Sequence, residues 1–271
     1  MNALKLNREE FDLFEDLVYK ESGIRFNLIN EIILQSNIFY SMKEKGIDEV
    51  YDYYKLVSSD KECCEEFLEN ITTNLTKFFR NETDFKILKE YVLPKILKFK
   101  KKGERIKIWC AGCSTGEEAY SLAITCLESK YIKEECIKIF ATDLSLNSVM
   151  TAKEGVYDIE KTESIPKRYL KKYFDKLPTG KYSVKNNIRK LITFDCHNLM
   201  HKFNQYNIDI IFCRNVLIYF DNESVKLTVN RFYDILNENG FLFIGRCESL
   251  FGLDTKFKFE NIDNSIIYTK Q

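Results

Sequence analysis

No apolar run in the chain approaches the roughly 18 residues of a membrane-spanning helix, so membrane insertion is not expected. Residues 1–10 carry no apolar core, which predicts no secretory signal. The nine cysteines are then expected as thiols in a reducing, cytoplasmic setting, and their odd number agrees with that. Net charge is missing too, since 41 Lys/Arg balance 41 Asp/Glu. The lysine-rich run at 98–102 reads as a solvated turn, so no nucleic-acid partner is expected. Gly112-Cys113-Ser114-Thr115-Gly116 lacks the Gly-x-Gly-x-x-Gly order, and no Gly-Lys-Ser/Thr follows it. Dinucleotide binding and P-loop chemistry therefore lose ground. There is no Gly-x-Ser-x-Gly nucleophile elbow. Cys110-x-x-Cys113 has no second cysteine pair of matching spacing, and Cys110 belongs to an apolar strand pattern. Even with the metal-like spacing of His197 and His201, neither a metal site nor disulfide redox chemistry is expected.

What is present is a globular composition, 45% hydrophobic and 14% aromatic over 271 residues. Charge is unevenly spread. Residues 1–73 hold 8 Lys/Arg against 16 Asp/Glu, a net of −8, which leaves +8 on residues 74–271. That asymmetry suggests two units. The first reads as four helices over 8–21, 28–45, 48–58 and 60–72, with Phe11, Phe14, Leu17 and Val18 at helical spacing in the first. It serves either as a packing or regulatory module or in direct substrate contact. Residues 74–83 fit no period, yet carry Phe78-Phe79 among Asn74, Thr76 and Arg80. Linkers seldom hold paired aromatic anchors, so 74–104 is read as a linker and pocket-covering segment with a helix over 84–98.

From 105 the pattern alternates. Strands are expected at 105–111, 137–143, 191–195, 208–213 and 241–245, with helices at 116–130, 145–153 and 222–237 and a closing hairpin at 256–260 and 265–269. Strand, glycine turn and helix over 106–129 is how a doubly wound sheet opens a nucleotide site. Glu117-Glu118 at the helix start repel a pyrophosphate but suit the helix dipole. Such a turn favours a ligand with hydroxyls or positive charge, as an adenosyl sulfonium has. Asp143 ends the second strand, where an acid meets ribose hydroxyls; it is read either so or as the cap of the next helix. Residues 158–190, with ten Lys/Arg and a Pro178-Thr179-Gly180 turn, read as an inserted β-ribbon with strands at 171–176 and 181–185. A basic ribbon of this kind is a natural peptide dock by strand addition.

The runs Asn74-Leu-Thr-Lys-Phe-Phe-Arg80, Trp109-Cys-Ala-Gly-Cys-Ser-Thr-Gly-Glu-Glu118, Ala141-Thr-Asp143 and Phe212-Cys-Arg-Asn-Val-Leu-Ile-Tyr-Phe-Asp221 resemble the CheR-type chemotaxis methyltransferases, as do Leu242-Phe-Ile-Gly245 and Glu248-Ser-Leu250. The resemblance spans essentially the whole chain, in order. It implies a Rossmann-like class I methyltransferase domain at 105–271, whose mostly parallel seven-stranded sheet ends in an antiparallel hairpin. An N-terminal helical domain at 1–73 and a small β-subdomain inserted at about 158–190 go with it. It implies S-adenosylmethionine as cofactor, S-adenosylhomocysteine as product, and methylation of glutamate side chains on cytoplasmic chemoreceptor helices. Cofactor contacts are implied at Asn74, Thr76, Arg80, Glu117 or Glu118, Asp143, Asn198, Leu199, Arg214 and Asn215, and catalytic positions at Arg80 and Tyr219. A receptor-tail peptide docking on 158–190 and a monomeric state are also expected. Ala119 and Arg246-Cys247 depart from the usual Pro and His-Ser, and the family's basic second helix here presents Asn30, Glu31, Gln35, Asn37 and Ser41. Two rival readings keep the cofactor: transfer to another protein or small acid, and a binding scaffold without turnover.

Overall fold

In the computed structural model, which describes residues 5–25, 28–71 and 76–271, the alternating segments form strands β1 (Ile106–Ala111), β2 (Ile137–Asp143), β3 (Val156–Tyr157), β4 (Phe174–Lys176), β5 (Tyr182–Val184), β6 (Ile192–Cys196), β7 (Ile208–Cys213), β8 (Leu236–Ile244), β9 (Lys258–Ile262) and β10 (Ser265–Thr269). Seven make one sheet in the order β6-β2-β1-β7-β8-β10-β9. Its strands run parallel except β10, which is antiparallel to both β8 and β9. β7 is buried at every position, as its unbroken apolar run requires of a central parallel strand. The β9–β10 hairpin closes on Asp263 and Asn264, at φ 48° and 60°, the paired positive values of a two-residue turn that matches strand twist.

The chain divides into two compact units, Met1–Thr73 with Ile218–Val225, and Asn74–Leu217 with Lys226–Gln271. The first is built on α1 (Arg8–Ser22), α2 (Leu28–Lys45), α3 (Val50–Ser59) and α4 (Lys61–Ile71). Asn7 and Glu10 form a reciprocal capping box on α1, and Gly23 ends it in the left-handed region. Phe14, Tyr53 and Phe67 meet at ring distances of 5.5–6.2 Å in its core. No helix among the described residues is long and apolar enough to cross a membrane.

The second unit opens with α5 (Glu82–Ile87), a π-turn over Leu88–Val92, and α6 (Leu93–Leu97). A single helix over 84–98 was the sequence expectation. Pro94 is the physical reason for the difference: it has no N–H to give the preceding turn, and its ring crowds the carbonyl four residues back. A π-turn just before it accommodates both, and the Leu93 N–H bonds to the Leu88 carbonyl five residues back. After β1 comes α7 (Glu117–Leu127), and after β2 comes α8 (Leu146–Glu154). The inserted region holds α9 (Ile159–Thr162), α10 (Lys167–Tyr173), α11 (Asn186–Arg189) and a small antiparallel sheet in the order β3-β5-β4. The sheet was expected, but residues 171–173 are helical rather than extended. Pro166 fixes the first turn of α10, and both Tyr169 and Leu170 donate N–H to its carbonyl. Helix α12 (Asn222–Ile235) leads into β8, with Ser224 N–H donating to Asp221 at 2.8 Å.

Candidate active site

The order β6-β2-β1-β7 reverses direction between β1 and β7, and ligands of doubly wound sheets bind outside the carboxyl ends at that point. The 112–116 turn leaves β1 there. Gly112 and Cys113 donate N–H to the Thr142 carbonyl at 2.8 and 2.9 Å, and Ser114 N–H reaches Asp143 at 2.7 Å. Gly112, Ser114 and Gly116 have φ of 86°, 46° and 97°. A Cβ on Gly112 would overlap Val216, and one on Gly116 would lie 2.8 Å from the Ala152 Cβ. The glycines let β7's outgoing loop and α8 close on the turn.

Asp143 takes Ser114 N–H on one oxygen and Ser145 N–H, at 3.0 Å, on the other. Ser145 itself caps α8, so the capping alternative for Asp143 gives way to a brace between two loops. It remains partly exposed at the end of β2.

The two acids of the turn separate clearly. Glu117 has no exposed surface, accepts from Thr115 Oγ1 at 2.7 Å, and pairs with Lys161 at 3.1 Å. Glu118 retains 13% side-chain exposure and lies 3.2 Å from Arg214 Nη1, while Cys110 Sγ donates to it at 3.3 Å. Arg214, with a fully buried side chain, also stands 3.3 Å from Asp84 of α5. Its Nη2 donates to the Arg80 carbonyl at 2.6 Å. Nε and Nη1 are buried at ion-pair distance from carboxylates without forming hydrogen bonds. Burial pushes the Asp84 and Glu118 carboxyls up, and the guanidinium opposes this. Burial likewise drives the Cys110, Cys113 and Cys213 thiols well above their usual range.

Asn215, in the left-handed region at φ 60°, follows Arg214. Its N–H and that of Val216 donate to Glu248 at 3.1 and 2.9 Å, and Gly245 N–H donates to the same carboxylate. Sequence reading quoted Glu248 in a motif but gave it no role; two loops meeting on one carboxylate leave no trace in spacing. At the end of β6, Asn198 accepts from Met200 N–H at 2.9 Å, and buried Leu199 offers its carbonyl to Arg231. Thr76 and Arg80 are half-buried, on a segment pinned by buried Phe78 and Phe79. The Phe78 ring stands edge-on to Tyr157 and Phe174 at 4.9 and 5.5 Å. Asn74 lies outside the described residues. Tyr219 belongs to the helical unit, where its carbonyl accepts from Arg25 N–H at 2.8 Å.

Two carboxylates against one guanidinium, with a third acid on the neighbouring strand, form a donor set of net negative charge. It fits a cationic ligand that also carries hydroxyls and does not fit a phosphate. This strand order is that of a class I S-adenosylmethionine-dependent methyltransferase.

A family model described as the CheR methyltransferase SAM-binding domain matches residues 74–266, and the CheR methyltransferase all-alpha domain matches 9–72. A probable chemotaxis protein methyltransferase of Rhizobium etli is 33% identical over 253 residues, covering 91% of this chain and 94% of that one. The chemotaxis protein methyltransferase of Borreliella burgdorferi is 32% identical over 260 residues, covering 92% and 91%. Chemotaxis protein methyltransferase 1 of Pseudomonas aeruginosa is 31% identical over 266 residues, covering 96% and 97%. The chain belongs to the CheR methyltransferase family.

Proposed function

We propose that this chain is a protein-glutamate O-methyltransferase, forming glutamate 5-O-methyl esters on cytoplasmic helices of chemoreceptors during chemotaxis adaptation. The observation that carries the reading is the pairing around Arg214, whose guanidinium already engages both nearby carboxylates. Burial pushes the thiols of Cys110, Cys113 and Cys213 well above their usual range. Asp84 and Glu118 sit against Arg214. The His197 ring is packed against Trp109 at 5.8 Å and Phe203 at 5.3 Å. An amine or alcohol acceptor would need a base. A glutamate, with a pKa of about 4.3, arrives ionised at neutral pH and needs none.

S-adenosylmethionine, when bound, supplies an electrophilic methyl group on a cationic sulfur. Glu118, Arg214, Asn215, Asp143, Asn198, Leu199, Thr76 and Asn74 are assigned to hold it, with Glu118 rather than the enclosed Glu117 as the acid in contact. The chain's remaining task is to align the acceptor and strip its water, so positioning carries most of the rate. Arg80 is assigned to grip the incoming carboxylate through paired N–H donors. Its backbone is steadied by Arg214 and flanked by Phe79 and Asn81 at φ 52° and 62°. Tyr219 is assigned to orient the carboxylate by a hydrogen bond from its hydroxyl. In this reading the protein works as a cytoplasmic monomer. Residues 1–73 meet the receptor, 74–104 cover the pocket, and 105–271 perform the transfer. The basic region at 158–190 is a dock for a receptor-tail peptide.

Incubation with labelled methyl donor and receptor cytoplasmic fragments tests the reading. Base-labile label on receptor glutamates is expected; label on another acceptor, or cofactor binding with no transfer at all, overturns it. Tyr219→Phe is expected to lower turnover about 10²-fold with cofactor affinity intact. Unchanged turnover removes Tyr219 from the mechanism.

A further inference from the structure

Glu117 opens α7 with no exposed surface. Thr115 Oγ1 donates to one oxygen at 2.7 Å, and Lys161 Nζ donates to the other at 3.1 Å. Lys161, on α9 of the inserted region, also donates to Thr115 Oγ1 at 3.2 Å. From β3 of the same region, the Tyr157 hydroxyl donates to the Thr115 carbonyl at 2.7 Å. On the far side, Ser121 Oγ donates to the Glu117 carbonyl at 2.6 Å and accepts Phe79 N–H at 2.9 Å. Glu117 therefore joins three things: the turn after β1, the inserted region, and the segment that carries Arg80.

We propose that Lys161 is a positioning residue for the cofactor: by neutralising enclosed Glu117 and fixing Thr115, it sets the backbone of the 112–117 turn. The inserted region thereby tunes cofactor affinity without touching the cofactor. This rests on the turn being one wall of the cofactor site. A carboxylate with no exposure depends on its cation, and removing one partner of such a pair is far more disruptive than removing both. Lys161 is 44% exposed, so replacing it opens no cavity, and the loss is chiefly of charge and of two hydrogen bonds. Glu117 then has to move, and it carries the turn with it. Ligand-holding backbone tolerates displacements of only about 0.5 Å.

Calorimetric titration of the full chain with S-adenosylhomocysteine, beside thermal melting of the ligand-free chain, tests this. Lys161→Met is expected to weaken binding about tenfold, whereas Lys161→Arg stays within about threefold of the parent. Glu117→Gln combined with Lys161→Met is expected to recover most of the affinity, because no buried charge is left unpaired. An unchanged dissociation constant in Lys161→Met, whether or not the melting temperature falls, overturns the proposal. So does a double variant no better than Lys161→Met. If Lys161→Met does not fold, Lys161→Gln is read by the same criteria. Failure of the parent chain to bind S-adenosylhomocysteine would sink the cofactor site itself, an outcome distinct from either of these.

Discussion

Arg214 and Glu118 show how single residues set the chemistry. Burial raises the Glu118 carboxyl above the ordinary glutamate range, with Arg214 pulling against it. The ionised form is the one that favours a cationic donor. It is lost as pH falls through the raised value, so affinity for S-adenosylmethionine is expected to decline at a higher pH than an ordinary glutamate would dictate. S-adenosylhomocysteine, whose sulfur is uncharged, should decline less. Titrating both ligands from about pH 8 down to about pH 5 checks this. Equal slopes would detach Glu118 from the sulfur. Glu118→Gln should flatten the difference and weaken S-adenosylmethionine about tenfold, on the order of 1.4 kcal/mol. Much of this neighbourhood was legible in the sequence, because an acid after a glycine turn and an Arg-Asn after a buried strand fall where sheet topology places ligands. The division of labour within the acid pair was not. Adjacent residues at a helix start point about 100° apart, and only the position of Lys161, more than forty residues on, decides which acid is enclosed.

Elements follow the apolar period wherever one face is buried, which is why β1, β2 and β7 fall within a residue of expectation. They depart where a proline acts from outside the period, at the π-turn before Pro94 and the helix after Pro166, and at 236–240, where the expected helix end and Asn239-Gly240 turn belong to β8. Gly112 was legible as a turn residue, but its reason, a Val216 side chain seated where its Cβ would be, required the tertiary fold. Loop pairing is harder still. Glu248 gathers the N–H groups of Asn215, Val216 and Gly245, so one carboxylate ties the ends of β7 and β8 together. Glu248→Ala leaves those donors to compete for water or go unpaired, at a cost on the order of 2 kcal/mol. For a chain of this size that corresponds to a melting temperature lower by about 4–8 °C. Cofactor affinity should fall as well, because Arg214 and Asn215 lose their anchor. Glu248→Gln, which keeps a single carbonyl acceptor, should lie between. Differential scanning calorimetry with and without S-adenosylhomocysteine measures both effects, and an Ala variant that melts with the parent removes Glu248 as a tie.

At the scale of the whole molecule the dominant fact is charge separation inside a neutral chain, −8 on residues 1–73 and +8 on residues 74–271. Within the helical unit much of the acid is only loosely compensated: Asp12 pairs with Arg8 and Asp52 with Lys55, but these side chains are 48–69% exposed. Exposed pairs of this kind contribute little, and the field of the unit stays negative. A protein acceptor that first meets this unit is therefore favoured when its facing helix is basic. Long-range attraction acts on encounter and is screened beyond about 8–10 Å at physiological salt. For receptor fragments with a basic face, kcat/KM is expected to fall as sodium chloride rises from about 50 to about 300 mM, by several-fold, while kcat stays level because the transfer step lies after encounter. Fragments with an acidic face should show the opposite slope. Reversing charge at Glu9 and Glu62, both exposed on the helical unit, and at half-buried Asp12 should invert the preference without altering cofactor affinity. A kcat/KM that ignores salt for both kinds of fragment would show that the acidic unit takes no part in finding the acceptor, and would leave recognition to residues 74–271.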